Sequence, residues 1–183
     1  MPLTHGSNFQ LLTGASITCA AGDRFRIRYF GSSVWKMVSF QRASGQALAV
    51  ATVPSFSANK NGSDQSISNG VYTKITFGTE DWDVGGYYDA ANSKWTPPAG
   101  KYLITVSMNI SGLTGIAHAT LYKNGSAHRD LTFTAIGGNW ACSLLIDANG
   151  SDYFEVYAEQ TGGGSHTIGG DTILTFFQGV KVG

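Results

Sequence analysis

Charge is the scarcest ingredient of this chain. Asp, Glu, Lys and Arg make up 13% of its 183 residues, about half the usual quarter. The twelve basic residues balance the twelve acidic ones. Such a balance lacks the basic excess with which a nucleic-acid module neutralises phosphates, so nucleic acid is excluded as a partner. Cysteine is nearly absent too: Cys19 and Cys142 stand far apart with no C-x-x-C pair. This excludes a disulfide framework and a cysteine-rich zinc site, and both residues read as reduced, small and apolar. No apolar run reaches the ~18 residues of a membrane-crossing helix. Residues 1–14 have no basic stretch followed by an apolar one, so no secretory signal is visible, and synthesis in a cytoplasm is the expectation.

Catalytic signatures are missing as well. The four histidines, His5, His118, His128 and His166, form no H-E-x-x-H, and no serine sits in G-x-S-x-G. The Gly-rich stretch 161–170 lacks the lysine of a phosphate-binding loop, which excludes nucleotide binding of that type. No internal repeat of the kind that builds a β-helical depolymerase is visible.

What is present is β-forming. Hydrophobic residues reach 42% and glycines number 24, which excludes a disordered chain and fits many short strands joined by turns. Charge is unevenly placed: Arg24, Arg26, Arg28, Lys36 and Arg42 against Asp23 alone give residues 1–52 a net +4, leaving −4 for the remainder. Two modules follow from this, with a boundary in the small-residue stretch Ser44–Thr52, so that 1–50 form an N-terminal module and 51–183 a head.

In the first module Phe25, Ile27 and Tyr29 alternate with Arg24, Arg26 and Arg28, which places arginines on one strand face and apolar groups on the other. Gly31-Ser32-Ser33 predicts a turn into a returning strand over Val34–Phe40. A lone hairpin is marginal in water, so it requires a partner, either the head or further copies of itself.

The head centres on residues 70–110. A β-prone run (Val71, Thr73, Ile75, Phe77) leads to an acidic and aromatic loop containing Glu80, Asp81, Trp82 and Asp83, followed by Tyr87, Tyr88 and Trp95. Pro97, Pro98 and Gly100 make a turn. Then Tyr102, Ile104, Val106, Met108 and Ile110 keep a strict period of two, the clearest strand in the sequence. Beyond it, Asn124-Gly125 predicts a hairpin, Trp140–Ile146 a strand, and Tyr153–Glu159 a strand with Glu155 and Glu159 outward. Residues 59–70 and 161–170 read as surface loops, and Thr172–Val182 as a closing strand. The total is about eight to ten strands and no helix.

The order of β-run, acidic-aromatic loop with G-Y-Y-D, W-T-P-P-A-G-K-Y corner and long strand resembles the globular heads of the C1q and tumour-necrosis-factor-like superfamily, over residues 53–183. The A-G-D turn, strand, G-S-x-x-W hairpin and R-A-S-G of the first module resemble a small β-module of phage tail-fibre and appendage proteins. These resemblances imply an all-β, C1q/tumour-necrosis-factor-like jelly-roll β-sandwich preceded by a small β-hairpin module. They further imply a homotrimer, with the last strand central in its sheet and with residence on a bacteriophage virion as decoration, head fibre or small tail appendage. Receptor binding by a fibre tip is the alternative, and a lectin or depolymerase a further one.

Within this frame three residue groups are candidates. Trp82, Tyr87 and Tyr88 offer rings that stack on a surface glycan, although Trp95, Tyr102 and Phe177 read as core. Arg24, Arg26 and Arg28 form a face that reads plainly as a solvated strand face, and more sharply as one for attachment to an acidic virion surface or for contact between subunits. Glu80, Asp81 and Asp83 supply hard oxygen ligands of the kind that hold Ca²⁺, which some heads of this type bind; a solvated acidic loop is the plainer reading, and no other cofactor is implied.

Overall fold

A computed structural model describes residues 2–12, 14, 16–45, 52–134 and 137–183. The chain divides into two compact units, Met1–Thr52 and Val53–Gly183. The expected boundary at residue 50 lies within 46–51, outside the described residues.

The first unit holds β1 (Pro2–Leu3), β2 (Phe9–Gln10), β3 (Ile17–Thr18), β4 (Arg24–Tyr29) and β5 (Trp35–Gln41). β4 and β5 are antiparallel, with β2 parallel to β5 at the other edge. Cross-strand pairs Phe25↔Phe40, Ile27↔Met37 and Tyr29↔Trp35 bring six large apolar side chains of the hairpin into facing register. Only a small core forms beneath them, of Leu11, Ile17 and Met37 with Phe40 and Cys19 packed alongside. Asp23 ties the two ends of the hairpin together. Its carboxylate accepts from the Ala20 and Ala43 amides at 2.8 and 3.0 Å and pairs with Arg42 at 3.2 Å. The A-G-D and R-A-S-G segments are thus two halves of one clasp.

The second unit begins with β6 (Ser55–Asn59), β7 (Gln65–Ser68), β8 (Thr73–Lys74), β9 (Thr79–Val84), β10 (Tyr88–Asp89) and β11 (Lys94–Trp95). The long strand β12 (Gly100–Ser111), β13 (Ala117–Lys123) and β14 (Ser126–Thr134) follow, then β15 (Gly138–Ala148), β16 (Phe154–Gln160), β17 (Ser165–Ile168) and β18 (Phe176–Lys181). β15 covers the whole of one edge of β12, from Gly100↔Ala148 to Ile110↔Gly138. A strand has two edges, so β17 and β18 share the other, with β7 and β6 beyond them and β9 outermost. The second sheet runs β10-β11-β16-β13-β14, with β8 also on β16. Asn124 and Gly125, both with positive φ (54° and 76°), make the tight β13–β14 turn.

Alternation decides which face of β12 enters the sandwich. Tyr102, Ile104, Val106, Met108 and Ile110 are buried between the sheets, while Leu103, Thr105 and Asn109 face away. The core is aromatic at its centre: Phe56 lies 4.7 Å from Tyr88, 4.7 Å from Trp95 and 4.8 Å from Phe177, ring centre to ring centre. Trp95 in turn meets Tyr102 edge-on at 5.0 Å. Gly179 makes room for this cluster, since a Cβ there would stand 2.6 Å from the Trp95 ring.

Several expectations need correction. Strand segments number eighteen among the described residues, because turns break long strands: β6 and β7 continue one line, β17 and β18 another. The polar stretch 59–70 is not all loop, for β7 lies inside it with Ile67 fully buried. The glycine-rich stretch 161–170 contains β17, whose Ile168 is buried. The closing strand is shorter than Thr172–Val182, because Asp171 bonds to the Ile173 amide and curls residues 171–174 into a turn. Glu155 does face away from the core formed by Phe154, Val156 and Ala158, yet it is nearly covered there, paired with Lys74 at 2.6 Å. The acidic segment Glu80–Asp83 is the edge strand β9, not a loop.

Candidate functional surfaces

Three surfaces contain the candidate residues. The first is the outer face of the larger sheet. Trp82 stands on β9 opposite Ser57 and is half exposed, at 50%. With Leu103, Thr105, Gln178 and Val180 it rims a shallow hollow of about 260 Å³. Ser143 and Thr105, cross-strand partners on β15 and β12, share a hydrogen bond of 2.7 Å on the same face. The centre of this face carries hydroxyls, an amide and aliphatic groups but no charge. The two other predicted ring platforms lie elsewhere. Tyr88 is buried, stacks on Phe56, and donates its hydroxyl to the Phe77 carbonyl at 2.8 Å. Burial pushes its phenol up beyond the ordinary range. It is core and cannot stack on a ligand. Tyr87 is half-buried against the core. Tyr87 stands just before β10, outside the strand.

The predicted oxygen ligands also fail to converge. The Asp81 carboxylate is held by Ser57 Oγ and Asn59 Nδ2, each at 2.7 Å. Asp83 accepts from the Tyr88 amide at 2.8 Å, its other oxygen buried without a partner. Glu80 is exposed on the strand edge. Among the described residues no three His, Cys, Asp or Glu side chains are placed to hold a metal. Asp81 and Asp83 act instead as fasteners of β9 to its neighbours.

The second surface belongs to the N-terminal hairpin. Arg24, Arg26 and Arg28 are exposed on one face, joined there by Lys36, which lies directly across from Arg28. Among the described residues none of these four pairs with a carboxylate. Arg28 and Lys36 both lean on the Phe30 ring, at 5.6 and 5.2 Å. On the opposite face Phe25, Ile27, Tyr29 and Trp35 stay 40–52% exposed. The hairpin therefore carries one cationic face and one apolar face that the small core covers only in part.

The third surface went unnoticed in the sequence. Lys101, Lys123, His128 and Arg129 surround a hollow of about 460 Å³ at the end of the sandwich where β12 begins and β15 ends. Their spacing in sequence gives no signal; only the pairing of β15 with β12 and the β13–β14 hairpin brings them together.

Sequence comparison matches no family model and no curated protein. Structural comparison is informative. The chain is similar to murine APRIL, with a TM-score of 0.57 at 12% identity over 72% of this chain and all of that one. It is similar as well to the globular domain of zebrafish complement 1qA, with a TM-score of 0.51 at 12% identity, covering 72% of this chain and 98% of that domain. The head has the C1q/tumour-necrosis-factor-like jelly-roll fold. In it β18 lies between β12 and β6, the central place expected of the last strand.

Proposed function

We propose that this protein is a non-enzymatic, homotrimeric structural component of a bacteriophage virion, either a capsid decoration or head fibre or a small tail appendage. The observation that carries the trimer is the uncharged centre of the outer face of the larger sheet, where Trp82 and Val180 are exposed and Leu103 half-exposed among hydroxyl and amide groups. Desolvating such a face costs little, and covering it in a neighbouring subunit removes apolar area from water at about 25 cal/mol per Å². The virion assignment is supported by the likeness of the Asp23-clasped hairpin to phage appendage modules, and by its two-faced construction. Three apolar hairpin faces turned to one another leave three cationic faces outward, suited to an acidic virion surface.

The test compares retention of the purified protein on virions of its own phage, prepared without it, and on host cells. Saturable retention on virions, weakened by salt and by changing Arg24, Arg26 and Arg28 to Gln, is the expected result. Retention on cells alone would replace this reading with receptor binding by a fibre tip. Turnover of a host glycan would replace it with a depolymerase.

A further inference from the structure

We infer that the hollow between the ends of β12, β13, β14 and β15 is a binding site for an anionic sugar, one bearing a carboxylate or sulfate on its ring. Part of its lining is apolar: Leu145, 70% exposed, and Val182, 55% exposed, stand open to solvent there with buried Ile146. Around these stand Lys101 from β12, Lys123 from β13, and His128 and Arg129 from β14. Lys123 is engaged already, with Asp152 at 2.8 Å and the Asp147 carbonyl at 3.1 Å. Among the described residues no carboxylate pairs with Lys101 or Arg129. The imidazole of His128 is pushed down by burial first, then by the positive charge of Arg129 and Lys123. It is therefore a neutral hydrogen-bonding group beside two cations that form no ion pair, although the Asp147 carboxylate stands on the same rim.

The chemistry selects the ligand. A bare inorganic anion would use the cations and leave Leu145 and Val182 in water. A neutral sugar would use the apolar lining and leave the charges idle. A ring with one apolar face and an acidic substituent uses both, the guanidinium of Arg129 taking the carboxylate or sulfate through charge-assisted hydrogen bonds. The side chain of Asp147, also on the rim and cross-strand from Lys101, is suited to ring hydroxyls. The volume falls within the range of small-molecule sites, about 300–1,000 Å³. A second copy of the chain docking by its outer sheet face offers these cations little, since the Asp81 carboxylate there is already held by Ser57 and Asn59.

Titration calorimetry on the full chain at low salt, with a galacturonate tetrasaccharide, its methyl ester and a sulfated tetrasaccharide of similar length, tests the site. The free acid or the sulfated sugar should bind at least about ten-fold more tightly than the ester, the worth of a charge-assisted bond; which of the two is tighter names the acidic group. Arg129→Gln and Lys101→Gln should each weaken binding by about five- to ten-fold, and Leu145→Ser by a similar factor, with unchanged melting temperatures. Equal binding of acid and ester, or no binding of either acidic sugar, would overturn the inference. So would binding that survives Leu145→Ser in full, which is diffuse charge attraction, or an acidic peptide of equal length and charge that binds as well as the sugars.

Discussion

Gly179 shows how much of this fold is set by single atoms. It stands on β18 between the Trp95 and Phe56 rings, and an added Cβ would come within 2.6 Å of one and 2.8 Å of the other. Gly179→Ala should destabilise the head by about 1–3 kcal/mol, as overpacking does, visible as a lowered denaturant midpoint. Asp152 acts through charge. The Lys123 ammonium, then Asn124 and the Asn149 amide, hold its carboxyl down from the ordinary 3.8 to about 2. A folded-state value below the unfolded one stabilises the fold above the unfolded value, and that stability is lost as pH falls from about 4 towards 2. Melting temperatures of the native chain should drop over that window, and Asp152→Asn should remove part of the drop. Sequence alone indicates that in a strand only one of Tyr87 and Tyr88 can face inward. Tyr88 does so on β10, across from Trp95, while Tyr87 stands before the strand and packs half-buried against the same core. Glu155 illustrates the limit of local pattern: it faces outward as alternation requires, but its burial there rests on Lys74, 81 positions away in the chain.

At the scale of elements, the legible parts were those whose signal is local. The period of two in β12 and the Asn-Gly turn between β13 and β14 are both present where the residues indicate. What misled were segments whose polarity is satisfied at long range. β9 reads as a loop because of Glu80, Asp81 and Asp83, yet an edge strand tolerates such charges, and Ser57 and Asn59 on β6 receive Asp81. β7 and β17 hide a single buried isoleucine each among polar and glycine residues, and pair with one another. The hairpin β4–β5 is the element most open to test. Replacing Arg24, Arg26 and Arg28 with Gln should abolish salt-sensitive attachment to the virion in a co-sedimentation assay while leaving oligomer mass unchanged. Asp23→Asn should instead loosen the clasp at Ala20 and Ala43, seen as faster amide exchange across β4 and β5 with the head unaffected.

At the scale of the whole molecule, the head is a jelly roll whose outer surface includes a sheet face uncharged at its centre and a cationic corner. The N-terminal unit holds a hairpin with one cationic and one apolar side. Neither sheet face nor corner was visible in sequence, because each draws residues from four or five strands. If that sheet face is the subunit contact, a carboxylate at its centre must be desolvated without a partner. Leu103→Asp should therefore break the assembly to monomers without unfolding the head, as read by sedimentation velocity and circular dichroism together. The most direct test of the account is the solution mass of the unaltered protein by light scattering during size-exclusion chromatography. Three times the chain mass of 19.4 kDa, stable on dilution, is the predicted result; a single-chain mass at every concentration would contradict it.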